Sequence, residues 1–351
     1  MVRSRSYIAT PPGATIKEQL TDRGMSQKEF AARMDMSEKH ISRLINGEVL
    51  LTHETAIRLE TVLGVPAKFW NNLEAIYREK LLKADAENKM DADIVLTKRF
   101  PYNEMAQYGW VAKTKDVKEK VIYLRSYFEV VDLSLLSNDL ITRIACRRLA
   151  ITEKSDLALI AWAQEARLKA REIRTGAIDI KGLLRVIPEI RALTLLKPAE
   201  FCPEIKKCLA DHGIALIFLP PLKGSFLQGA SFLDGNKIVI GLTARGRDAD
   251  RFWFSLFHEL AHIVLGHVGL VGGTMDDDER KADRWAENTL IAESALQAFR
   301  ESGDYSEQSV IRFAEEQGIA PGIVVGRMQR ERMIKYSVLN NLKEKYEIVY
   351  E

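Results

Sequence analysis

Residues 251–266 read RFWFSLFHELAHIVLG, and this stretch decides the fold of the second half of the chain. Apolar residues occupy almost every side of the predicted helix, so we expect the helix to be buried. At about 100° per residue, His258 and His262 fall roughly 40° apart around the axis and one turn apart along it. Both imidazoles can therefore bind one divalent cation, which removes the cost of burying them without partners.

Glu259 is offset from the two histidines, where its carboxylate can take a proton from a water molecule and pass it to a leaving amine. A zinc site with one open position needs a third protein ligand. One face of the next predicted helix carries Glu279, Ala282, Asp283 and Ala286. The small alanines allow close packing, so we expect Glu279 to bind the metal and Asp283 to accept the N–H of a ligating histidine.

Two alternatives compete with this assignment. Residues 276–279 form an acidic run that would suit a helix N-terminus even without a metal. His267 is a rival third ligand, but it follows Gly266, at which the helix is predicted to end. We therefore expect His267 either at the surface or in contact with a metal-ligating side chain without binding the metal itself.

His53 and His212 belong to no motif and are expected to be structural or exposed.

The first 80 residues predict five short helices with clear boundaries. Ser26 and Glu29 form a predicted capping box, Ser37 is the expected N-cap of the next helix, and Asn46-Gly47 ends it. Thr52 opens a fourth helix, which contains Ala56, Ile57, Leu59, Val62 and Leu63 and stops at Gly64, and Pro66 suits the first turn of a fifth.

Two short helices joined by a tight turn are the plan of a helix-turn-helix, whose second helix enters the major groove of DNA. The residues expected to contact bases or phosphates are Gln27, Ser37, Glu38, Lys39, His40, Ser42, Arg43 and Asn46. The plainer alternative is a small helical bundle with a solvated polar face.

Residues 11–77 carry the motifs on which a family resemblance of this half depends. They are Pro12-Gly13, Met25-Ser26-Gln27-Lys28-Glu29-Phe30-Ala31, Met36-Ser37, Ile41-Ser42, Ile45-Asn46-Gly47, Thr55-Ala56-Ile57-Arg58-Leu59 and Phe69-Trp70. The segment resembles the Xre-type helix-turn-helix, and within it the HigA-like antitoxin branch. The resemblance implies a repressor that binds a double-stranded DNA operator as a homodimer, and a toxin as a partner.

A second resemblance covers residues 205–335. Its motifs are Gly229-Ala230-Ser231-Phe232, the segment from Arg251 to His262, Glu279 with Ala282-Asp283 and Trp285-Ala286, and Val324-Val325-Gly326-Arg327-Met328-Gln329. These look like the ImmA/IrrE-type metallopeptidases, which are gluzincin-like, and some of which cleave a transcriptional repressor. The resemblance implies one Zn²⁺ per chain, with His258, His262 and Glu279 as its ligands and Glu259 as general acid/base. The family often has Asn where Asp283 stands, and some members place the peptidase first.

Composition excludes several classes of protein. Fifty-one basic and 49 acidic residues give a net charge of +2, so any contact with DNA must be local. No apolar run reaches the ~18 residues needed to span a bilayer, and no apolar segment follows the first residues as in a secretory signal. Cys146, Cys202 and Cys208 are too scattered for a disulfide framework. We therefore expect a cytoplasmic protein without a membrane partner.

The predicted fold class is α+β, mainly helical, with strands at 214–219, 227–232 and 237–242. The expected domains are a DNA-binding domain (1–80), a helical connecting region (81–200) and a zinc metallopeptidase domain (201–351). The predicted strand at 227–232 can bind an extended substrate by β-addition. Arg327 is a guess for the oxyanion-stabilising residue.

Three functional hypotheses follow. The first is a transcriptional regulator fused to a zinc endopeptidase that cleaves a protein of its own circuit, either a repressor or itself. The second is a HigA-like antitoxin or repressor whose metal domain senses or binds a partner without proteolysis. The third is a peptidase whose N-terminal helices bind only protein.

Overall fold

The computed structural model describes residues 2–4, 7–88, 90–136, 153–223, 228–243, 248–268 and 275–347. The chain divides into two compact units, Met1–Val95 and Leu96–Glu351. Most of the described residues are helical, and a small three-stranded sheet lies in the second unit, which confirms the predicted α+β class. The boundaries at residues 80 and 200 stay predictions.

The first unit begins with a two-stranded antiparallel ribbon and continues as a helical bundle. The ribbon pairs β1 (Val2–Arg3) with β2 (Ile8–Ala9). The helices are α1 (Gly13–Asp22), α2 (Gln27–Arg33), α3 (Glu38–Ile45), α4 (His53–Leu63) and α5 (Ala67–Asn88), and α6 (Asp91–Thr97) lies at the boundary of the two units.

Serine hydroxyls begin α2 and α3 as the sequence predicts. The Ser26 hydroxyl accepts the backbone N–H of Glu29, and the Ser37 hydroxyl accepts that of His40, both at 3.2 Å. The capping box at α2 is only half formed, because the Glu29 carboxylate accepts two hydrogen bonds from Arg33 one turn later. A salt-bridged partner at i+4 competes successfully for this carboxylate.

The hydrophobic core of the first unit includes Ile16, Leu20, Phe30, Met34, Ile41, Leu44, Leu59, Leu63 and Trp70. Gly13 lies so close to the carbonyl oxygen of Ile45 that a Cβ at position 13 would overlap with it, so this glycine lets α1 pack against the end of α3. Ile57, one of the apolar residues of α4, is 61% exposed. It follows the buried Ala56 by one residue, a step of about 100° that carries it off the buried face.

Helices and three strands form the second unit. The helices before the sheet are α7 (Tyr102–Gln107), α8 (Val117–Phe128), α9 (Glu153–Arg171), α10 (Ile180–Ala192) and α11 (Pro198–Asp211). The strands are β3 (Ile214–Phe218), β4 (Gly229–Asp234) and β5 (Lys237–Leu242). The helices after them are α12 (Ala249–Val264), α13 (Asp276–Leu290), α14 (Glu293–Ser302), α15 (Glu307–Gln317) and α16 (Pro321–Arg330). Short 3-10 turns cover Leu133–Leu135, Leu193–Leu195 and Asn340–Leu342.

The three strands lie in the order β3–β5–β4, with β3 parallel and β4 antiparallel to β5. The predicted turn at Asp234-Gly235 joins β4 to β5, and Gly235 has a φ of 61° there. Both faces of the sheet are covered: Leu216 and Ile240 belong to the core that includes α12, whereas Ile217 and Val239 belong to the core that includes α8 and α9. The sheet therefore lies at the centre of the second unit.

The predicted elements shift by a few residues at their ends. The helices expected at 251–266 and 279–292 are Ala249–Val264 and Asp276–Leu290. Residue 227 of the predicted second strand and Cys146 lie outside the described residues. Cys202 and Cys208 are half-buried. Within the part of the chain that the structure describes, none of the helices combines the length and the apolar character needed to cross a membrane.

Candidate functional site

Helices α12 and α13 pack along each other and bring the predicted metal ligands together. Ala282 and Ala286 are fully buried, which is consistent with the close packing expected from their small side chains. His258 and His262 lie on the buried length of α12, and Glu279 lies in the first turn of α13. The site is therefore built on two rigid elements within the core of the second unit.

The three candidate ligands converge on one point. Each offers a ligand atom within 4.8 Å of the others. The Nε2 atoms of His258 and His262 are 3.1 Å apart. Glu279 places Oε2 3.2 Å from Nε2 of His258 and Oε1 3.4 Å from Nε2 of His262. Two imidazoles and one carboxylate are the donor set of a catalytic zinc site with an open position.

The electrostatics of this cluster favour a positive charge at its centre. Burial opposes protonation of His258, but the carboxylates of Asp283 and Glu279 outweigh it and raise the pKa of His258 to about 9. Burial acts to raise the pKa of Glu279, yet the two histidines lower it below its ordinary value. Neither oxygen of Glu279 has a hydrogen-bond partner among the described residues. A cation bound between the three donors would satisfy these oxygens, so the residues fit a metal ion.

Glu259 lies beside this cluster, almost wholly buried. Burial raises its pKa, and the neighbouring His258 and His262 act in the opposite direction. Gly229, the first residue of β4, makes room for it: a Cβ at Gly229 would lie 2.8 Å from Oε1 of Glu259. A raised pKa suits a carboxylate that both accepts and returns a proton.

Each histidine of the cluster also contacts a group on its far side. Nδ1 of His258 lies 2.9 Å from Oδ1 of Asp283, as the sequence predicts for Asp283. Nδ1 of His262 lies 3.0 Å from Nδ1 of His267. The structure thus places His267 in the core behind a candidate ligand rather than at the surface, one of the two positions left open for it.

Sequence reasoning missed Arg330, which supports the site from α16. Its guanidinium contacts Oδ2 of Asp283 at 3.0 Å and lies over the ring of Phe254, 4.4 Å from the centroid. No local signal identifies a partner 47 residues along the chain. Arg327, the guess for an oxyanion-stabilising residue, pairs with Glu293 at 3.1 Å and with Glu331.

The predicted DNA-contacting residues lie on α2, on α3 and at the N-cap and C-cap of α3. Gln27, Ser37, Glu38, Lys39, Ser42, Arg43 and Asn46 are exposed, and His40 is half-buried. Arg43 lies 3.6 Å from Glu48, and the Ser37 hydroxyl is engaged as the N-cap. The exposed face combines donors, acceptors and cations, the groups that read base edges and bind phosphates.

The two lone histidines have local partners. Nδ1 of His53 lies 2.9 Å from Oδ1 of Asn71, and Nδ1 of His212 lies 2.8 Å from the carbonyl oxygen of Cys208. Neither is part of the cluster on α12 and α13.

Comparison with known proteins supports the helix-turn-helix resemblance and the IrrE-type resemblance, whereas the HigA-like branch stays a prediction. The model of the helix-turn-helix family matches residues 16–70, and that of the IrrE N-terminal-like domain matches residues 210–329. The uncharacterized HTH-type transcriptional regulator YddM of Escherichia coli (strain K12) is 36% identical over 80 residues, which are 23% of this chain and 81% of that protein. All residues of the candidate metal cluster lie within the second match.

Proposed function

The chain belongs to the family of helix-turn-helix transcriptional regulators and carries an IrrE N-terminal-like peptidase domain, and we propose that this domain is a zinc-dependent endopeptidase. Its substrate is a protein of the same regulatory circuit, either a repressor or the chain itself. The regulator acts in the cytoplasm, where it binds a double-stranded DNA operator as a homodimer.

The convergence of His258, His262 and Glu279 within 4.8 Å carries this proposal. Imidazole and carboxylate donors in this number suit zinc, with one Zn²⁺ per chain. A zinc ion held there supplies a Lewis acid for the scissile carbonyl and makes water a stronger acid. Asp283 holds His258 in the orientation that turns its Nε2 toward the cluster.

Glu259 is the proposed general acid/base. Its carboxylate is buried and next to the two histidines, and its raised pKa matches a group that accepts a proton from water and then donates it to the leaving amine. Removing such a group costs a factor of about 10² to 10⁴ in rate. Oε2 of Glu259 has no hydrogen-bond partner among the described residues, which leaves it available for this exchange.

The substrate is proposed to bind as an added strand. β4 pairs with β5 on one side and is one of the two outer strands of the sheet among the described residues. Its first residue, Gly229, lies against Glu259, so a peptide along the outer edge of β4 would pass next to the general base. Main-chain hydrogen bonds then give affinity without strict dependence on sequence.

DNA binding is proposed for the face formed by α2 and α3. Lys39 and Arg43 are exposed on α3, which enters the major groove, and Asn46 is exposed at its C-cap. Gln27 opens α2, where the free backbone N–H groups of the first turn can face a phosphate. Ser37, Glu38, His40 and Ser42 complete the proposed contact surface.

A comparison of the wild type, Glu259→Gln and Glu307→Gln tests the enzymatic proposal. Glu307 is an exposed glutamate at the start of α15 and serves as the matched control. Each full-length protein is assayed for bound zinc, for operator binding by mobility shift and for cleavage of itself and of the products of neighbouring genes. We expect one zinc per chain and operator binding in all three, and cleavage reduced at least about 10²-fold in Glu259→Gln alone.

Cleavage by Glu259→Gln at the wild-type rate would contradict the proposed mechanism. If all three proteins bind zinc and the operator but none cleaves a substrate, and the chain captures a toxin-like product of a neighbouring gene, the HigA-like antitoxin without proteolysis is favoured. Cleavage without a mobility shift would favour N-terminal helices that bind only protein.

A further inference from the structure

We propose that His267 is a positioning residue for the candidate metal ligand His262, holding its ring by accepting the hydrogen on Nδ1. The inference rests on the metal centre of the proposed function but not on proteolysis. It assigns a role to a buried histidine outside the three-ligand cluster.

The geometry places the two imidazoles edge to edge. Nδ1 of His262 lies 3.0 Å from Nδ1 of His267, whereas Nε2 of His262 faces His258 and Glu279 on the opposite side of its ring. His262 is fully buried and His267 is 7% exposed, so water competes little for this contact. A nitrogen pair at this distance is joined by one hydrogen, which one ring must donate and the other accept.

Only one arrangement of hydrogens suits a metal ligand. To bind a cation, His262 must keep a lone pair on Nε2, so its hydrogen is on Nδ1 and is donated to His267. Nδ1 of His267 then carries a lone pair, and its own hydrogen is on Nε2. That nitrogen lies 3.6 Å from Oδ1 of Asp278, beyond direct hydrogen-bond distance but close enough for the carboxylate to favour the hydrogen there.

Local backbone structure holds all three groups in place. Gly266 has a φ of +76° and ends α12, and the backbone N–H of His267 donates to the carbonyl oxygen of His262 at 2.8 Å. The chain therefore folds back so that the ring of His267 meets that of His262. Oδ2 of Asp278 accepts the backbone N–H of Met275 at 3.1 Å, which leaves Oδ1 directed at His267.

The experiment compares His267→Leu, His267→Asn and the control His212→Leu in the full chain. Leucine removes the acceptor, asparagine keeps an acceptor near the position of Nδ1, and His212 is a half-buried histidine of the same unit that contacts Cys208. The readouts are the zinc dissociation constant, from chelator competition, and the visible spectrum of the Co²⁺-loaded protein. Both report metal binding whether or not any protein is cleaved.

We expect His267→Leu to weaken zinc binding by about 10- to 100-fold and to alter the Co²⁺ spectrum, as removal of a group that orients a ligand does. His267→Asn should recover most of the affinity and the wild-type spectrum, and His212→Leu should match the wild type. Wild-type affinity and spectrum in His267→Leu, or equal losses in the leucine and asparagine variants, would overturn the proposal.

Asp278→Asn, made alone and together with His267→Asn, keeps the proposal testable if His267→Leu does not fold. Because Asp278 acts through His267, its substitution should weaken zinc binding in the wild-type background and leave it unchanged in the His267→Asn background. Equal effects in both backgrounds would contradict the positioning role. A wild-type chain that binds no metal would overturn the metal centre itself, whereas normal metal binding without cleavage would overturn only the peptidase.

Discussion

The two units of the chain place their candidate functional groups in opposite ways. In the first unit the candidate DNA contacts lie outside the hydrophobic core, on α2, on α3 and at the two ends of α3, and all of them except the half-buried His40 are exposed. In the second unit the candidate metal ligands are part of the core, on a helix whose neighbouring side chains are fully buried. The fold of the first unit does not depend on its candidate DNA contacts. The second unit contains a buried cluster of ionisable side chains that a bound ion would stabilise.

Metal removal gives the sharpest test of this difference. A ligand that binds only the native state at 1,000 times its dissociation constant stabilises that state by about 4 kcal/mol. We therefore expect chelation to remove about that much from the second unit and to leave the first unchanged. Hydrogen exchange measured by mass spectrometry on peptides from 249–264 and 276–290, against peptides from 27–45, checks this expectation. Equal loss of protection in both units, or none in either, would contradict it.

Local patterns predicted most of what the candidate metal site contains. The spacing of His258 and His262 fixes their common face by helix geometry alone, and the alanines that precede and follow Asp283 indicate which face of α13 packs against α12. Likewise, the hydroxyls of Ser26 and Ser37 mark the starts of α2 and α3. These features depend on a few consecutive residues, which is why the sequence alone suffices for them.

Local sequence patterns do not predict contacts between segments that are distant along the chain. Arg330 meets Asp283 only because α16 packs near α13, and nothing in either segment names the other. The same applies to Ile57, whose side of α4 depends on which neighbours cover it. The position of His267 needs both the left-handed turn at Gly266 and the neighbouring Asp278. The sequence indicated that the helix ends, but not where the chain turns next.

Gly13 tests whether the stability of the first unit is independent of the second. A methyl group at position 13 would meet backbone atoms of Ile45, which cannot move aside without displacing the end of α3. We expect Gly13→Ala to destabilise this unit by about 3 kcal/mol, as overpacking against an unyielding neighbour does. Hydrogen exchange of 27–45 should rise while zinc content and exchange of 249–264 stay at wild-type values.

Gly24→Ala is the matched control for Gly13→Ala. A Cβ at Gly24 would meet nothing within 4 Å, although its φ of +60° leaves some backbone strain of about 1 kcal/mol. A loss for Gly13→Ala no larger than that for Gly24→Ala would show that the approach of α1 to α3 does not limit stability. Reduced zinc content in Gly13→Ala would contradict the independence of the two units.

The smallest expected effect comes from the exposed face of α3. Lys39 and Arg43 lie outside the core, so replacing either with alanine should leave the free energy of unfolding within about 0.5 kcal/mol of the wild type. Each contact to a phosphate contributes a slope of about 0.9 in the dependence of log K on log salt, so each variant should lose about one unit of that slope. Lys68 is an exposed lysine on α5, so Lys68→Ala is the matched control and should keep the full slope.

Operator titrations at several salt concentrations measure this slope. If Lys39→Ala and Arg43→Ala retain the slope of the control, these residues do not contact phosphates. A loss of slope without a loss of stability would mean that the first unit, unlike the second, separates its function from its fold.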